Sequence, residues 1–316
     1  MKNVIVLLGP TCVGKTSASV ILAKELNTEI ISADSMQIYR HMDIGTAKPS
    51  QAERASIRHH MIDVVEPSEA YSAGRYISDV APIIEGLIQN GKTPVIVGGT
   101  GLYIKAMTRG IFSGPSSDLE LRDRLLAREA EEKGSLYTHL CEIDPETANR
   151  VERNNIRRII RAIEVCMKSG ICLSSLQKDL TKPLPYDFIK IGIIRDRKDL
   201  YQMIDERVDE MFRTGLVEEV KAIMQMNPDR TPLQAIGYKE VIQYLNQEID
   251  LQEAERLIKR NSRRYAKRQF TWFRQEEDIS WIDVTGTNNG QEVFQAVKSI
   301  LCDIFPAASA IYRESA

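Results

Sequence analysis

The sequence carries one complete phosphate-binding signature: Gly9, Pro10, Thr11, Cys12, Val13, Gly14, Lys15 and Thr16 fit G-x-x-x-x-G-K-[ST] with every fixed position filled. In such a turn the glycines let the main chain approach a ligand, and successive N–H groups at a helix N-terminus point at phosphate oxygens. Lys15 adds a positive charge, and the Thr16 hydroxyl is suited to hold Mg²⁺. The pattern leaves open which phosphate compound is bound. Two further places could supply chemistry. Asp34 follows the apolar run at 29–33, and Thr100 lies in the second glycine-rich turn, Gly98-Gly99-Thr100-Gly101-Leu102-Tyr103.

These groups need a scaffold, and the flanking residues predict one. Residues 4–8 read as a buried strand and 17–26 as a helix, so the phosphate loop is a strand-to-helix turn. Residues 29–33 and 93–97 read as two more strands. Ligands of open parallel sheets bind outside the carboxyl ends of the strands, which should bring Asp34, the turn at 98–103 and the phosphate loop to one edge. Asp34 is the candidate for catalysis, with an Asx turn or helix cap as the structural alternative. No acidic residue ends the 93–97 strand, where many P-loop NTPases carry an Asp for Mg²⁺, and this argues against ordinary ATP hydrolysis. His59 and His60 are adjacent, which prevents both from facing one metal from a strand or helix, so they read as surface or packing residues.

Residues 71–89 predict an amphipathic helix that tolerates Pro82 and stops at Asn90-Gly91. From about 115 to 185 the alternation of strand and helix gives way to helices, with apolar stripes at Leu119, Leu121, Leu125, Leu126 and Ala130 and at Ile156, Ile159, Ile160, Ile163 and Val165. A strand at 188–194, helices at 198–212 and 291–304, a strand at 279–284 and a polar, frayed tail from Pro306 complete the reading. The expected fold is a P-loop NTPase-like α/β parallel sheet flanked by helices, built from 1–114 and 186–316, with an all-helical insertion at 115–185.

Composition narrows the function. The 316 residues are 43% hydrophobic and 27% charged, as in a soluble globular protein, and carry a net charge of −2. A nucleic-acid partner would therefore have to meet a local basic face. Two such faces exist. Arg150, Arg153, Arg157 and Arg161 recur at helical spacing, and eight lysines and arginines without an acid lie between Arg256 and Arg274, interleaved with Tyr265, Phe270, Trp272 and Phe273. Five cysteines without C-x-x-C spacing oppose a disulfide framework or zinc site and favour a reducing compartment. No apolar run is long enough for a membrane span, so a cytoplasmic location is expected.

A phosphate cradle, a carboxylate at the next strand end and two basic faces fit two reactions. In a small-molecule kinase the loop would hold ATP while Asp34 took a hydroxyl proton. In an alkyltransferase the loop would hold a leaving diphosphate while Asp34 took the proton of an attacking amine. The kinase leaves the arginine-rich insertion and the basic segment without a task.

The phosphate loop, Asp34-Ser35-Met36-Gln37-Ile38-Tyr39, Ile44-Gly45-Thr46-Ala47-Lys48-Pro49, the 98–103 turn, Gly237-Tyr238 and Lys267-Arg268-Gln269-Phe270-Thr271-Trp272-Phe273-Arg274 together resemble the bacterial tRNA dimethylallyltransferase family, also called tRNA isopentenyltransferases. The matching segments keep that family's order from residue 9 to residue 274. Cys12 and Val13 depart from the commoner small residues, at positions the loop pattern does not fix. The resemblance implies transfer of a dimethylallyl group from dimethylallyl diphosphate to N6 of adenine 37 in tRNAs that read codons beginning with U. It implies Asp34, Thr100 and Arg207 as catalytic groups and Gly9 to Thr16 as the diphosphate site with Mg²⁺ on Thr16. It further implies tRNA contacts at Asp34, Ser35, Met36, Gln37, Thr100, Arg122, Arg158, Arg161, Gly237, Tyr238, Lys239, Lys267 and Arg268. A monomer with no membrane partner is expected. A related adenylate isopentenyltransferase acting on free nucleotide stays open as an alternative, which the long insertion and the basic segment disfavour.

Overall fold

The computed structural model describes residues 2–304 apart from 113 and 288, so the tail from Pro306 lies outside the described residues. Six strands, β1 (Asn3–Leu8), β2 (Ile30–Ala33), β3 (His59–His60), β4 (Val95–Gly98), β5 (Asp187–Ile194) and β6 (Ile279–Asp283), form one parallel sheet in the order β3-β2-β4-β1-β5-β6. The sheet has the α/β architecture expected. Its central strand β1 is buried on both faces, with Val4, Val6, Leu7 and Leu8 wholly inaccessible, as a continuous apolar run in a parallel sheet requires.

The helices fall into two compact units, one made of residues 1–104 and 185–316 and the other of residues 105–184. The first contains α1 (Lys15–Glu25), α2 (Gln51–Ser56) and α3 (Ala73–Gln89), then the start of α4 (Gly101–Thr108), which runs into the second unit. The second continues with α5 (Leu119–Glu131), α6 (Ser135–Ile143), α7 (Pro145–Arg150), α8 (Ile156–Ser169) and α9 (Leu173–Leu180). The first unit then resumes with α10 (Arg197–Arg213), α11 (Leu216–Met224), α12 (Arg230–Leu233), α13 (Tyr238–Leu245), α14 (Leu251–Phe273) and α15 (Gly290–Ile304).

The helical unit begins at Lys105, earlier than the expected 115. The stretch from 105 belongs with the helices because it packs on its own return segment. The Leu184 amide donates to the Met107 carbonyl at 2.9 Å, and a Cβ on Gly110, whose φ is +85°, would lie 2.5–2.7 Å from the Lys182 main chain. Helix starts follow short polar side chains. Asp118 accepts from the Leu121 amide at 3.0 Å, Asn155 from Arg158 at 3.3 Å, and Asp250 from Glu253 at 2.8 Å.

Each unit has its own core. In the first, Ile5 and Leu7 of β1 meet Leu22 of α1, Ile204 of α10 and Phe294 of α15. A second cluster gathers Ile38, Tyr39, Met42, Leu216, Val220 and Tyr238. In the helical unit, Leu121 and Leu125 pack with Leu136, Leu140, Ile159 and Ile163, whereas Leu119 and Leu126 face outward, so the buried stripe of α5 is narrower than its sequence suggested. The arginine run is likewise broken: α7 ends at Arg150 and α8 starts at Ile156, so the four arginines do not share one helix. Among the described residues no helix is long and apolar enough to cross a membrane.

Gly98 closes β4 against β2, and a Cβ there would lie 2.2 Å from the Ala33 carbonyl oxygen and 2.7 Å from the Ala33 Cβ. Main chain cannot swing aside as a side chain can, so Gly98→Ala should cost about 1–3 kcal/mol. Urea unfolding should show a lower midpoint at an unchanged slope.

Candidate functional site

The carboxyl ends of β2, β4 and β1 lie side by side, and each is followed by one of the segments singled out above. After β1 the phosphate loop turns sharply: Gly9 has φ +147°, Cys12 +65° and Gly14 +89°, the last as N-cap of α1. Such alternation of hand turns consecutive N–H groups into one concavity, which is an anion cradle. A Cβ on Gly9 would stand 2.3 Å from the Ile193 carbonyl oxygen, so the loop can sit against β5 only as glycine. Lys15 folds back over the loop, donating to the carbonyls of Gly9 at 2.9 Å and Pro10 at 2.5 Å. Burial, and then the positive charge of Arg207, lower its pKa to about 8. Arg207, on the exposed side of α10, reaches the Thr11 hydroxyl with Nη1 at 3.1 Å.

Asp34 follows β2, and one carboxylate oxygen accepts from the amides of Met36 at 2.8 Å and Gln37 at 3.3 Å. This is the Asx-turn geometry that the sequence offered as an alternative to catalysis. The other oxygen remains for chemistry. Burial pushes the carboxyl pKa up, against the opposing pull of those two amides and of Lys15. Thr100, after β4, ties the two strand ends together: its amide donates to the Ala33 carbonyl at 3.1 Å and its Oγ1 accepts from the Ser35 amide at 2.9 Å.

Three residues without an assigned role complete the edge. Gln269 of α14, 7% exposed, accepts from the Thr11 amide at 3.0 Å and donates to the Gly99 carbonyl at 2.9 Å, bridging the two glycine-rich turns. Tyr265, one turn earlier, hydrogen-bonds Thr100 and Gln269, and Asp34 helps raise its pKa after burial. Tyr76 donates to the Ser32 carbonyl at 3.0 Å and stacks on Tyr103 with ring centroids 4.0 Å apart. Gln269 and Tyr265 stood in the basic, aromatic segment, but nothing local in the sequence points them at turns so distant, 170 and 258 residues away for Gln269.

The other residues implied by resemblance divide into exposed and internally committed groups. Arg158, Lys267 and Arg268 are exposed. Arg122 and Arg161 are about one-third exposed, and both engage Glu164, which is wholly buried. Arg122 Nε and Nη2 clasp its two oxygens at 2.9 and 2.8 Å, and Arg161 Nη1 adds a contact at 2.6 Å. Burial raises the Glu164 pKa, but the guanidinium and amide donors outweigh it and hold the group at about 2. Gln37 is spent within the protein, its amide nitrogen on the Thr46 and Ala47 carbonyls at 3.3 Å and its oxygen on Ser32 at 3.1 Å. Ser35 and Met36 are half-buried, and Lys239 lies 3.5 Å from the buried Glu240.

Tyr238 and Gly237 require a correction. Tyr238 is wholly buried, with its hydroxyl donated to Glu219, and Gly237 is buried with its amide on Glu240 at 2.8 Å. Side-chain contact of Tyr238 with RNA is therefore unavailable, because the ring fills a protein core. The basic face of α14 is also smaller than its sequence suggests. Arg256 pairs with Glu253, Arg263 with Asp205, and Lys259 with Asp209 and Glu255.

No group of three His, Cys, Asp or Glu able to hold a metal occurs among the described residues. The protein side of an Mg²⁺ site here would be the half-buried Thr16 hydroxyl at the start of α1. That donor set fits an ion that keeps waters and takes its remaining ligands from substrate phosphates, and does not fit a metal enclosed by protein alone. His60 is committed to Glu29 at 2.7 Å and His59 to the Ile57 carbonyl at 2.8 Å, in keeping with packing roles.

Comparison with known proteins points one way. A family model described as IPP transferase matches residues 37–276. A tRNA dimethylallyltransferase of Thermodesulfovibrio yellowstonii is 48% identical over 310 residues, 96% of this chain and 98% of that one. One from Halothermothrix orenii is 46% identical over 95% of this chain and 93% of its own length. The crystal structure of a tRNA isopentenylpyrophosphate transferase from Bacillus halodurans superposes with a TM-score of 0.72 at 37% identity, covering 99% of this chain and all of that one. A eukaryotic dimethylallyltransferase acting on tRNA gives a TM-score of 0.78 at 28% identity, covering 96% of this chain and 80% of that one.

The lowered pKa of Lys15 has a measurable consequence. A diphosphate binds the ammonium form, which in the ligand-free protein is lost as pH rises through about 8. Calorimetry with inorganic diphosphate on the wild type and on Lys15→Met should show, in the wild type alone, a fall in affinity above that pH and a share of the proton uptake on binding beyond what the diphosphate's own ionisation gives.

Proposed function

This chain belongs to the IPP transferase family, and on that premise we infer that it transfers a dimethylallyl group from dimethylallyl diphosphate to N6 of adenine 37 in tRNAs reading codons beginning with U. The observation that carries the reading is the pairing of an anion cradle with a carboxylate of raised pKa, Asp34, close enough to Lys15 for each to shift the other. An adenine amino group is a weak nucleophile because its lone pair is delocalised into the ring. A base that accepts its proton as the C–N bond forms speeds such a step by about 10²–10⁴. Asp34 is that base: the N6–carbon bond forms, the carbon–oxygen bond to diphosphate breaks, and the N6 proton passes to the free carboxylate oxygen.

The attacked carbon is allylic and bears positive charge, so the other requirement is to stabilise negative charge on the departing diphosphate. The loop amides, Lys15 and Arg207 meet it, and Mg²⁺ on Thr16, when bound, neutralises further charge on the phosphate oxygens. Thr100 fixes the Ser35 amide beside the base and stands next to the reacting groups. The acceptor base must leave its stack to reach this edge. Exposed Arg158, Lys267 and Arg268, together with Arg122 and Arg161, supply phosphate contacts that position the RNA, while Ser35, Met36, Gln37 and Lys239 line the approach. Residues 105–184 act on this reading as the part that grips the anticodon stem-loop. On this reading the protein works as a monomer in the cytoplasm, and its five cysteines without C-x-x-C spacing fit the reducing compartment.

The test uses radiolabelled dimethylallyl diphosphate and Mg²⁺ with three acceptors: an anticodon stem-loop carrying A36-A37-A38, the same RNA with G at 37, and free AMP. Label in the first alone is the expected result, and label in AMP would move the protein to the free-nucleotide branch. Asp34→Ala should lower the rate at saturating substrates by about 10²–10⁴ while filter binding of the RNA is retained. Arg158→Ala should do the reverse, weakening RNA binding with the saturated rate largely kept.

A further inference from the structure

Two segments singled out in the sequence, Ile44 to Pro49 and Gly237-Tyr238, supply none of the proposed reacting groups, yet they converge on a single side chain. Glu219 of α11 is half-buried and takes four donors. Its Oε2 accepts from the amides of Asp43 at 2.8 Å and Ile44 at 2.7 Å, and its Oε1 accepts from the Gly45 amide at 3.0 Å and the Tyr238 hydroxyl at 2.5 Å. Three consecutive amides closing on one carboxylate form a nest, a main-chain cradle for an anion. Here the anion belongs to the protein. The Tyr238 ring packs against the same turn, where a Cβ on residue 45 would lie 2.5 Å from a ring carbon, so glycine at 45 and tyrosine at 238 require one another. Lys48 fastens the far end of the turn: its side chain is 1% exposed and its Nζ donates to the Tyr39 carbonyl, Asp43 and Asp63 at 2.5–2.7 Å.

What this clamp holds still is the next residue pair. The Thr46 and Ala47 carbonyls accept from Gln37 Nε2, and the Gln37 amide is one of the two donors on Asp34 Oδ1. Three sets of hydrogen bonds, at Glu219, at Gln37 Nε2 and at the Gln37 main-chain N–H, are joined by the covalent 43–47 main chain and the Gln37 side chain, and together they connect Glu219 to the carboxylate. We propose that Glu219, with Tyr238, is a positioning residue for the transfer reaction, fixing through the 43–47 turn the orientation of Gln37 and thereby the free oxygen of Asp34. The inference rests on the tRNA reading above and adds residues that touch neither substrate.

Positioning of this kind has a signature that packing alone lacks. Misplacement of a reacting group by about 1 Å costs on the order of 10² in rate. Loss of the Gln37 amide also removes an influence that lowers the Asp34 pKa, so the acid limb of the rate profile should move to higher pH. The other groups facing Asp34 are Lys15, Tyr76, Tyr103 and Tyr265, none of which contacts Glu219 or Tyr238 through the bonds above.

The experiment measures kcat, both KM values, the pH dependence of kcat and the thermal midpoint for the wild type, Glu219→Gln and Tyr238→Phe. A glutamine presents an N–H₂ where at least one nest amide needs an acceptor. Glu219→Gln should therefore lower kcat by about 10²-fold, leave the KM for dimethylallyl diphosphate within about twofold, and displace the acid limb upward. Tyr238→Phe keeps the ring against Gly45 and removes one hydrogen bond, so it should move kcat and the limb in the same direction by a smaller factor, about tenfold. A folded Glu219→Gln protein with wild-type kcat and an unmoved limb overturns the inference, as does a change confined to the thermal midpoint. If Glu219→Gln does not fold, Tyr238→Phe decides by the same two readings. Absence of transfer by the wild type would overturn the tRNA reading and this inference together, whereas an active wild type beside unaffected variants overturns the inference alone.

Discussion

One side chain sets the distance between the two glycine-rich turns. Gln269 takes the Thr11 amide on its oxygen and gives its nitrogen to the Gly99 carbonyl, so the loop after β1 and the turn after β4 cannot separate without exposing a buried amide. The consequences spread outward. A Cβ on Gly99 would stand 2.2 Å from Gln269 Nε2, and one on Gly101 would lie 2.4 Å from the Trp272 ring, so the second turn must be glycine where α14 lies against it. The segments 98–103 and 267–274 are thus two sides of one contact. α14 carries exposed Lys267 and Arg268 on its solvent side while Gln269, on the same helix, holds the phosphate loop, so one helix presents positive charge to solvent and also walls the edge where the two glycine-rich turns meet.

The basic faces are more selective than their arginine and lysine content suggests. Several cations of α14 are neutralised by acids of α10 or of their own helix, and Arg150 pairs with Glu146. Exposed pairs of this kind contribute little to stability. Their effect is to reduce the free positive charge to fewer positions. Arg122 and Arg161 differ from these, because a wholly buried carboxylate clasps Arg122 in a two-bond fork and holds Arg161 by one bond. A guanidinium held in place loses less conformational freedom when it meets a phosphate than one that is free to rotate.

Much of this was legible in the sequence, and the reasons are local. The apolar run before Gly9, the loop pattern and the apolar stripes at 119–130 and 156–165 all act within a few residues, and each predicted strand and helix sits within a few residues of its observed bounds. Asp34 could be placed because the carboxyl ends of parallel strands meet at one edge. What could not be read were contacts between distant segments. Glu219 looks like one acid among many on an amphipathic helix until the fold brings it to the 43–45 turn, and Tyr238 looks like an exposed recognition residue until its ring is found in a core. Gln269 is hidden for the same reason. The arginines at 150–161 misled in the opposite way, since helical spacing continues across a break at 151–155 that periodicity alone does not register.

The contrast between two carboxylates explains why the chemistry falls where it does. Glu164 is wholly buried, yet two guanidinium groups and the Asp118 amide hold its pKa at about 2, so it stays an anion and has almost no appetite for a proton. Asp34 receives only two main-chain amides, both on one oxygen, with Lys15 as its nearby cation, and burial outweighs them. Its conjugate acid is therefore more stable than that of an ordinary aspartate, which is what a base needs if it is to take a proton as a weak nucleophile reacts. Lys15 shows the complementary adjustment, since its ammonium form is weakened by burial and by Arg207 and gains most when a diphosphate arrives. A cradle whose cation is held below its usual pKa, next to a carboxylate held above its own, pairs a group that gains from a polyanion with a group suited to accept a proton.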